Sequence, residues 1–238
     1  MGLGTLITHA GVRASVLVAS LAASILIARV FGAEGLAQYS LVLLIFNFVT
    51  LSLVGPVGLY LHRIAIDSIE SKKLLFVLIL FSCYLTVVFI VTSFVFVFLD
   101  LELKDALFYK VYFGILLLFS NIVVAGLLFT LLPVLNILGR LLAFSVISLS
   151  YAILSFLVPY LLVSYLHAAW EVWLIGVAIS QIIFLFVILI FLRSIRFIGS
   201  FSRVKLQYFI ANFEFKSVLS FFGPIAMTSM LGFFLYNG

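Results

Sequence analysis

The stretch LIARVFGAEGLAQYSL, Leu26–Leu41, interrupts a sequence that is strongly apolar on both sides of it. It holds one positive charge, Arg29, one negative charge, Glu34, and the two glycines Gly32 and Gly35. Glycine adopts backbone conformations that other residues avoid, so the chain can reverse its direction here. We therefore predict that two membrane-spanning helices meet at this stretch in a short turn.

The composition of the whole chain indicates a membrane protein. Of its 238 residues, 66% are hydrophobic and 9% are charged, and the mean hydropathy is +1.44. A soluble domain carries about 25% charged residues, because its exterior must face water. The apolar runs are long and continuous rather than alternating, which favours helical spans over a β-barrel. The expected fold class is therefore an all-α polytopic membrane protein.

The apolar runs predict six complete membrane-spanning helices and the start of a seventh. Their approximate limits are 14–31, 36–61, 74–99, 111–138, 141–166, 172–192 and 218–238. A crossing helix needs about 20 mostly apolar residues, which these runs supply. The expected domains are a six-helix N-terminal lobe at 1–192, a basic cytoplasmic connector at 193–217 and the first helix of a truncated C-terminal lobe at 218–238.

The positions of lysine and arginine predict how the chain is oriented. With the N-terminus in the cytoplasm, ten of the 13 lysines and arginines fall on the cytoplasmic side. Membrane proteins carry this excess on that side, so the net charge of +5 gives no indication of a nucleic-acid partner. The segment 193–217 fits either an ordinary connector or an amphipathic segment on the anionic inner leaflet.

The sequence lacks the motifs of an enzyme or of a metal centre. All eight acidic residues lie in loops or at the ends of spans. The single cysteine, Cys83, can form neither an intrachain disulfide nor a metal cluster. We expect no enzymatic activity, no cofactor and no metal. Ion-coupled pumps usually carry a carboxylate within the membrane, so its absence argues against ion-coupled antiport by this part of a protein.

Small and polar residues recur on one face of two predicted spans. The fifth span has Ser145, Ser148, Ala152, Ser155 and Pro159 on such a face, and the fourth has Asn121, Ala125, Leu132 and Asn136. These stripes either allow two helices to approach closely or line a polar cavity. The sequence leaves both interpretations open.

Arginines and prolines near or within the spans are further candidates for a functional role. Arg29 is either an anchor to the outer headgroups or a cation that faces a cavity. Arg140, in the turn NILGRLLAF, and Arg63, which follows His62 after the second span, fit cytoplasmic anchors. Each proline removes a backbone hydrogen bond from its span, and the hinge candidates are Pro56, Pro159 and Pro224.

The segment ARVFGAEGLAQYSLVLLIFNFVTLSLVGPVGLYLHR resembles the first loop and second span of polysaccharide exporters and O-antigen translocases. These proteins belong to the multidrug/oligosaccharidyl-lipid/polysaccharide exporter superfamily. The matching positions are Arg29, Gly32, Glu34, Gly35 and Tyr39, whereas Ala37 stands where the family more often has glycine. LNILGRLLAFSVIS, with Gly139 and Arg140, is similar to the turn between spans four and five, and FKSVLSFFGPIAMTSMLGFFLYNG, with Pro224, to the start of the second lobe.

The resemblance implies a MATE-like fold of two six-helix lobes, of which this chain supplies the first and the start of the second. It implies the flipping of undecaprenyl-diphosphate-linked oligosaccharide units, such as O-antigen, across the bacterial inner membrane. The implied partners are this substrate, the lipid bilayer, the missing C-terminal lobe, and the polysaccharide polymerase with its chain-length machinery. The candidate substrate-binding residues are Arg29, Arg140, Arg63, Asn47 and Asn121.

Two other functions stay open at this point. A cation-coupled multidrug exporter of the same fold predicts acidic residues within the membrane, and the sequence has none there. A membrane scaffold that transports nothing predicts that deletion leaves the surface polysaccharide unchanged.

Overall fold

The structure is a computed structural model, and it describes residues 3–70, 74–102, 107–166, 169–194, 220, 223–228 and 231–232. The helices are α1 Leu3–Val49, α2 Gly55–Glu70, α3 Leu74–Glu102, α4 Leu107–Phe119, α5 Gly126–Ile137, α6 Leu141–Tyr165 and α7 Trp170–Ser194. Two π-helical turns, Thr50–Val54 and Ser120–Ala125, lead from α1 into α2 and from α4 into α5. These described residues contain no β-strand, so the chain is all-α, as its composition predicts.

Five helical stretches in the described residues are long and apolar enough to cross a membrane. They are Leu21–His62, Val77–Val95, Phe113–Ile137, Leu141–Tyr165 and Trp170–Ser194. A helix satisfies its own backbone hydrogen bonds, which is why apolar sequence in a bilayer takes this form. The protein is therefore an all-α polytopic membrane protein. Of the predicted seventh span, the structure describes residues 220, 223–228 and 231–232, and all of these are helical.

A kink lies at Gly32, where the turn between the first two spans is predicted. This residue breaks the helical geometry of α1, with φ 68° and ψ −171°. Only glycine adopts this region of backbone conformation readily. Gly35 has a different role from the one predicted, because it is buried and helical, and a Cβ there would lie 2.6 Å from Cβ of Phe31. Gly32 thus carries the kink, and Gly35 allows close packing beside it.

The chain divides into two compact units. The first unit combines Met1–Ile45 with Leu131–Ile188, and the second combines Phe46–Thr130 with Leu189–Gly238. The predicted division into a lobe at 1–192, a connector at 193–217 and a further helix at 218–238 stays a prediction. Residues 195–217 of that connector lie outside the described part of the chain.

Aromatic residues form the core of the first unit. Trp173 of α7 is buried together with Ile27 of α1 and Val163 of α6. Its ring meets that of Phe156 edge to face, with centroids 6.0 Å apart. Such pairs contribute about 0.5–1.5 kcal/mol beyond the area that they bury. The core therefore joins α1, α6 and α7 within this unit.

The stripe of small residues on α6 is a packing surface in the structure. Ser145, Ser148, Ala152 and Pro159 are all buried, and Ser155 is half-buried. A Cβ on Gly176 of α7 would lie 2.4 Å from Cα of Pro159, so the two helices touch backbone to backbone there. Of the two interpretations of this stripe, the structure supports close helix packing.

Candidate functional site

The second unit contains two π-helical turns, and a glycine follows each of them. In the first, Thr50–Val54, the N–H of Gly55 donates to the carbonyl of Thr50. The second, Ser120–Ala125, is followed by Gly126. A π-turn inserts one residue into an α-helix and distorts the helix locally, and such turns are frequent at functional sites.

Both π-helical turns line one cavity of about 340 Å³ within the second unit. The polar residues of its wall are Asn47, Thr50, His62, Asn121 and Thr130. The rest of the wall is apolar, with glycines where the backbone borders the space. We call this space the polar cavity. It is the candidate site because polar side chains within apolar spans are costly unless they have a function or a partner.

The chemistry of the polar cavity is neutral. Among the described residues that line it, the polar side chains are two amides, two hydroxyls and one imidazole, with no Asp, Glu, Lys or Arg. Amides and hydroxyls both donate and accept hydrogen bonds. Within the described residues, no group of His, Cys, Asp and Glu could hold a metal ion. The described wall therefore offers hydrogen-bonding groups without charge, within a mostly apolar surface.

A hydrogen bond ties the two sides of the polar cavity together. His62 Nε2 on α2 lies 2.8 Å from the carbonyl oxygen of Thr130 on α5. A carbonyl only accepts, so Nε2 carries the hydrogen and donates it. Gly58 makes room for this contact one turn before His62, since a Cβ there would lie 3.0 Å from Oγ1 of Thr130.

The structure gives His62 a more central place than the sequence predicted. Hydropathy ends the second span at Leu61 and makes His62 a membrane-edge anchor. The apolar stretch of the structure also ends at His62, but helix α2 continues to Glu70, so His62 lies inside the helix and on the cavity wall. A signal was present in the spacing, because Gly55, Gly58 and His62 repeat at three and four residues and thus share one helical face.

The structure brings two of the five predicted site residues to the polar cavity. Asn47 and Asn121 both line it, although they are 74 positions apart in the sequence. That they bind a substrate stays a prediction. The predicted face of the fourth span also contained Leu132 and Asn136, and these do not line the cavity. The extra residue of the second π-helical turn rotates the following helix by about 100°, so Phe129 and Thr130 line the wall instead.

Two of the three candidate arginines, Arg29 and Arg140, are not among the residues that line the polar cavity. Arg29 is exposed, three residues before the break at Gly32. Arg140 is exposed just before α6, beside Gly139, whose φ of 72° forms the tight turn after α5. Arg63 follows His62 on α2, and its side chain lies outside the described part. Their contact with a diphosphate stays a prediction.

The three hinge candidates occupy different surroundings. Pro56 is buried in the first turn of α2, directly after the first π-helical turn. Pro159 is buried against Gly176. Pro224 is exposed in the helical segment 223–228. Only Pro56 adjoins the wall of the polar cavity in sequence, and the hinge role of all three stays a prediction.

Fold and site together define an all-α, multi-pass membrane protein with a neutral polar cavity inside its apolar spans. No protein-family model, curated protein or solved structure matches the chain. The likeness to polysaccharide exporters therefore rests on the quoted sequence segments alone.

Proposed function

We propose that the protein takes part in moving undecaprenyl-diphosphate-linked oligosaccharide units, such as O-antigen, across the bacterial inner membrane for surface polysaccharide synthesis. The observation that carries the proposal is the neutral polar cavity formed by Asn47, Thr50, His62, Asn121 and Thr130. Sugar hydroxyls lose their hydrogen bonds to water in hydrocarbon, at a cost of several kcal/mol for each group. A wall of amides and hydroxyls replaces those bonds during passage.

The size of the polar cavity limits what it holds at one time. Its volume of about 340 Å³ is near the lower end of ligand pockets, which span roughly 300–1,000 Å³. A sugar ring or two fits this space, whereas a complete repeat unit does not. The cavity is therefore proposed to hold part of the oligosaccharide, with the lipid tail left in the bilayer.

The sequence resemblance supports the remaining parts of the proposal. Exporters of this family combine two lobes, so a second lobe is proposed to complete the pathway. Arg29, Arg140 and Arg63 stay the candidates for the diphosphate, since arginine is suited to phosphate oxygens. The cytoplasmic N-terminus and the bacterial inner membrane belong to the same proposal, supported by the excess of lysine and arginine on one side.

A cation-coupled drug exporter is the less favoured function, because the described residues that line the polar cavity include no carboxylate to meet a cationic drug. A scaffold that transports nothing gives no reason for a neutral polar wall within apolar helices. Drug susceptibility of a deletion strain separates the exporter from the proposed function. An unchanged surface polysaccharide in that strain contradicts the proposed function.

The direct test replaces Asn121 by alanine in the full-length protein. We expect Asn121→Ala to lower surface polysaccharide about three- to tenfold and to leave lipid-linked units on the inner leaflet, since one lost hydrogen bond costs roughly 0.5–1.5 kcal/mol. Asn136→Ala is the matched control, because Asn136 is an exposed asparagine that does not line the cavity. Equal glycan levels in the two variants, at equal protein levels, contradict the role of the cavity.

A further inference from the structure

His62 is the residue of the cavity wall whose side chain type gains and loses a proton near neutral pH. We propose that His62 is the proton-binding residue of the polar cavity, and that a proton and a hydroxyl group of the cargo compete for its Nδ1 atom. The proton site follows from the geometry of the cavity. Only the identity of the competing cargo rests on the proposed function.

The hydrogen bond to Thr130 decides which ring nitrogen takes the proton. Nε2 of His62 lies 2.8 Å from the Thr130 carbonyl oxygen, and this bond requires Nε2 to carry a hydrogen. In the neutral ring, Nδ1 therefore holds the lone pair. A proton from water binds at Nδ1 and gives an imidazolium, while the Nε2–H bond to Thr130 is kept. The ring need not move to change its charge.

The lone pair of Nδ1 also serves as a hydrogen-bond acceptor for a ligand. A hydroxyl group donates to Nδ1 only while that atom is unprotonated. Once protonated, Nδ1 is a donor, and the same hydroxyl group must turn its oxygen towards the ring. Proton and donating hydroxyl thus exclude one another at a single atom. By thermodynamic linkage, each lowers the affinity of the cavity for the other by the same factor.

The groups around His62 strengthen this exclusion. The lining residues on the Ser120–Ala125 turn and on α5 are uncharged. The described titratable side chains of α2 and α3 are Tyr60, Cys83 and Tyr84, and Arg63 follows His62 directly. No carboxylate among them neutralises an imidazolium. A hydrated cavity accommodates the charge, whereas a cavity filled by cargo has less water to solvate it.

The competition gives the cavity a way to couple cargo release to proton entry. A cavity open to the more acidic side of the membrane gains a proton at His62 and loses its hydroxyl ligand. A cavity open to the less acidic side loses the proton and accepts the hydroxyl group again. This device uses an imidazole in place of the intramembrane carboxylate that the sequence lacks.

The proton site is tested without any transport assay. The full chain, labelled with ¹⁵N-histidine and held in lipid nanodiscs, is examined by NMR from about pH 5 to about pH 8. The chain has three histidines, and His62→Gln assigns the signal, because glutamine keeps an N–H donor for Thr130 but takes up no proton in this range. We expect an Nε2–H neutral form and protonation at Nδ1. An Nδ1–H neutral form, or a ring that keeps one protonation state throughout, overturns the proposal.

The competition is tested by the pH dependence of surface polysaccharide in cells. We expect wild-type glycan output to change at least tenfold across the same pH range, and the His62→Gln output to be independent of pH. His9→Gln is the control and keeps the wild-type profile. A pH-dependent His62→Gln variant overturns the competition. A normal level of surface glycan in a strain without the protein contradicts the proposed function instead. The NMR test of the proton site does not depend on that result.

Discussion

Glycines occur both where α6 packs on α7 and at the polar cavity, but the first site is closely packed and the second is open. In the first unit, Pro159 and Gly176 bring two backbones into contact and leave no space between them. In the second unit, Gly55 and Gly126 follow π-helical turns and border a cavity of about 340 Å³. The difference lies in the helix geometry. Helix α7 runs without a π-turn past the contact, whereas an inserted residue distorts both walls of the cavity.

Buried serine hydroxyls have a hydrogen-bond partner at some positions and none at others. Ser180 of α7 donates within the first unit to the carbonyls of Leu154 and Gly176, at 3.1 and 3.0 Å. Ser52, in the first π-helical turn of the second unit, is fully buried and its Oγ has no hydrogen-bond partner among the described residues. An unsatisfied buried hydroxyl destabilises the folded state. The first unit carries such hydroxyls as well, since the Oγ atoms of Ser145 and Ser148 on α6 are buried without a hydrogen-bond partner among the described residues.

The largest expected effect comes from filling the contact between α6 and α7. The Cβ of Gly176→Ala would lie 2.4 Å from Cα of Pro159, and backbone cannot yield as a flexible side chain can. We expect a loss of about 1–3 kcal/mol or more, as for overpacked cores. Thermal unfolding of the purified protein in detergent measures it. Gly232→Ala, which meets nothing within 4 Å, is the control, and equal melting temperatures contradict the contact.

At the break in α1 we expect a loss of stability somewhat smaller than that of Gly176→Ala. Gly32→Ala places a side chain at φ 68° and ψ −171°, where residues other than glycine are strained by about 1–3 kcal/mol. No atom lies within 4 Å of its Cβ, so the strain is purely conformational. A melting temperature equal to that of Gly232→Ala shows that the chain turns here without the left-handed conformation.

The smallest effects, of opposite sign, are expected at the two serines. Ser180→Ala removes the one O–H donor shared between the two carbonyls and is expected to destabilise the protein by about 1 kcal/mol. Ser52→Ala removes an unsatisfied hydroxyl and is expected to be neutral or stabilising by up to about 1 kcal/mol. Both are measured by thermal unfolding in the same detergent. A Ser52→Ala variant as unstable as Ser180→Ala means that the Ser52 hydroxyl has a partner.

Much of the helical framework follows from the sequence, because local rules govern it. The predicted spans 74–99, 141–166 and 172–192 lie within two to three residues of α3, α6 and α7 at most of their ends. The turns at Gly32 and Gly139 coincide with the two described glycines of positive φ. The second span also ends within one residue of the predicted 61, because its apolar stretch stops at His62, while helix α2 itself runs on to Glu70. Hydropathy marks where apolar sequence stops, and a helix can continue beyond that point.

The sequence by itself determined the class of protein: long apolar runs must form helices in a bilayer, and glycine must stand where the backbone takes a positive φ. It also singled out Asn47 and Asn121 as polar residues within spans. Only the tertiary structure decided that these two meet in one cavity, that His62 joins them, and that Leu132 and Asn136 do not. A π-helical turn changes the helical register by one residue, so spacing counted on a regular α-helix does not place the residues that follow it.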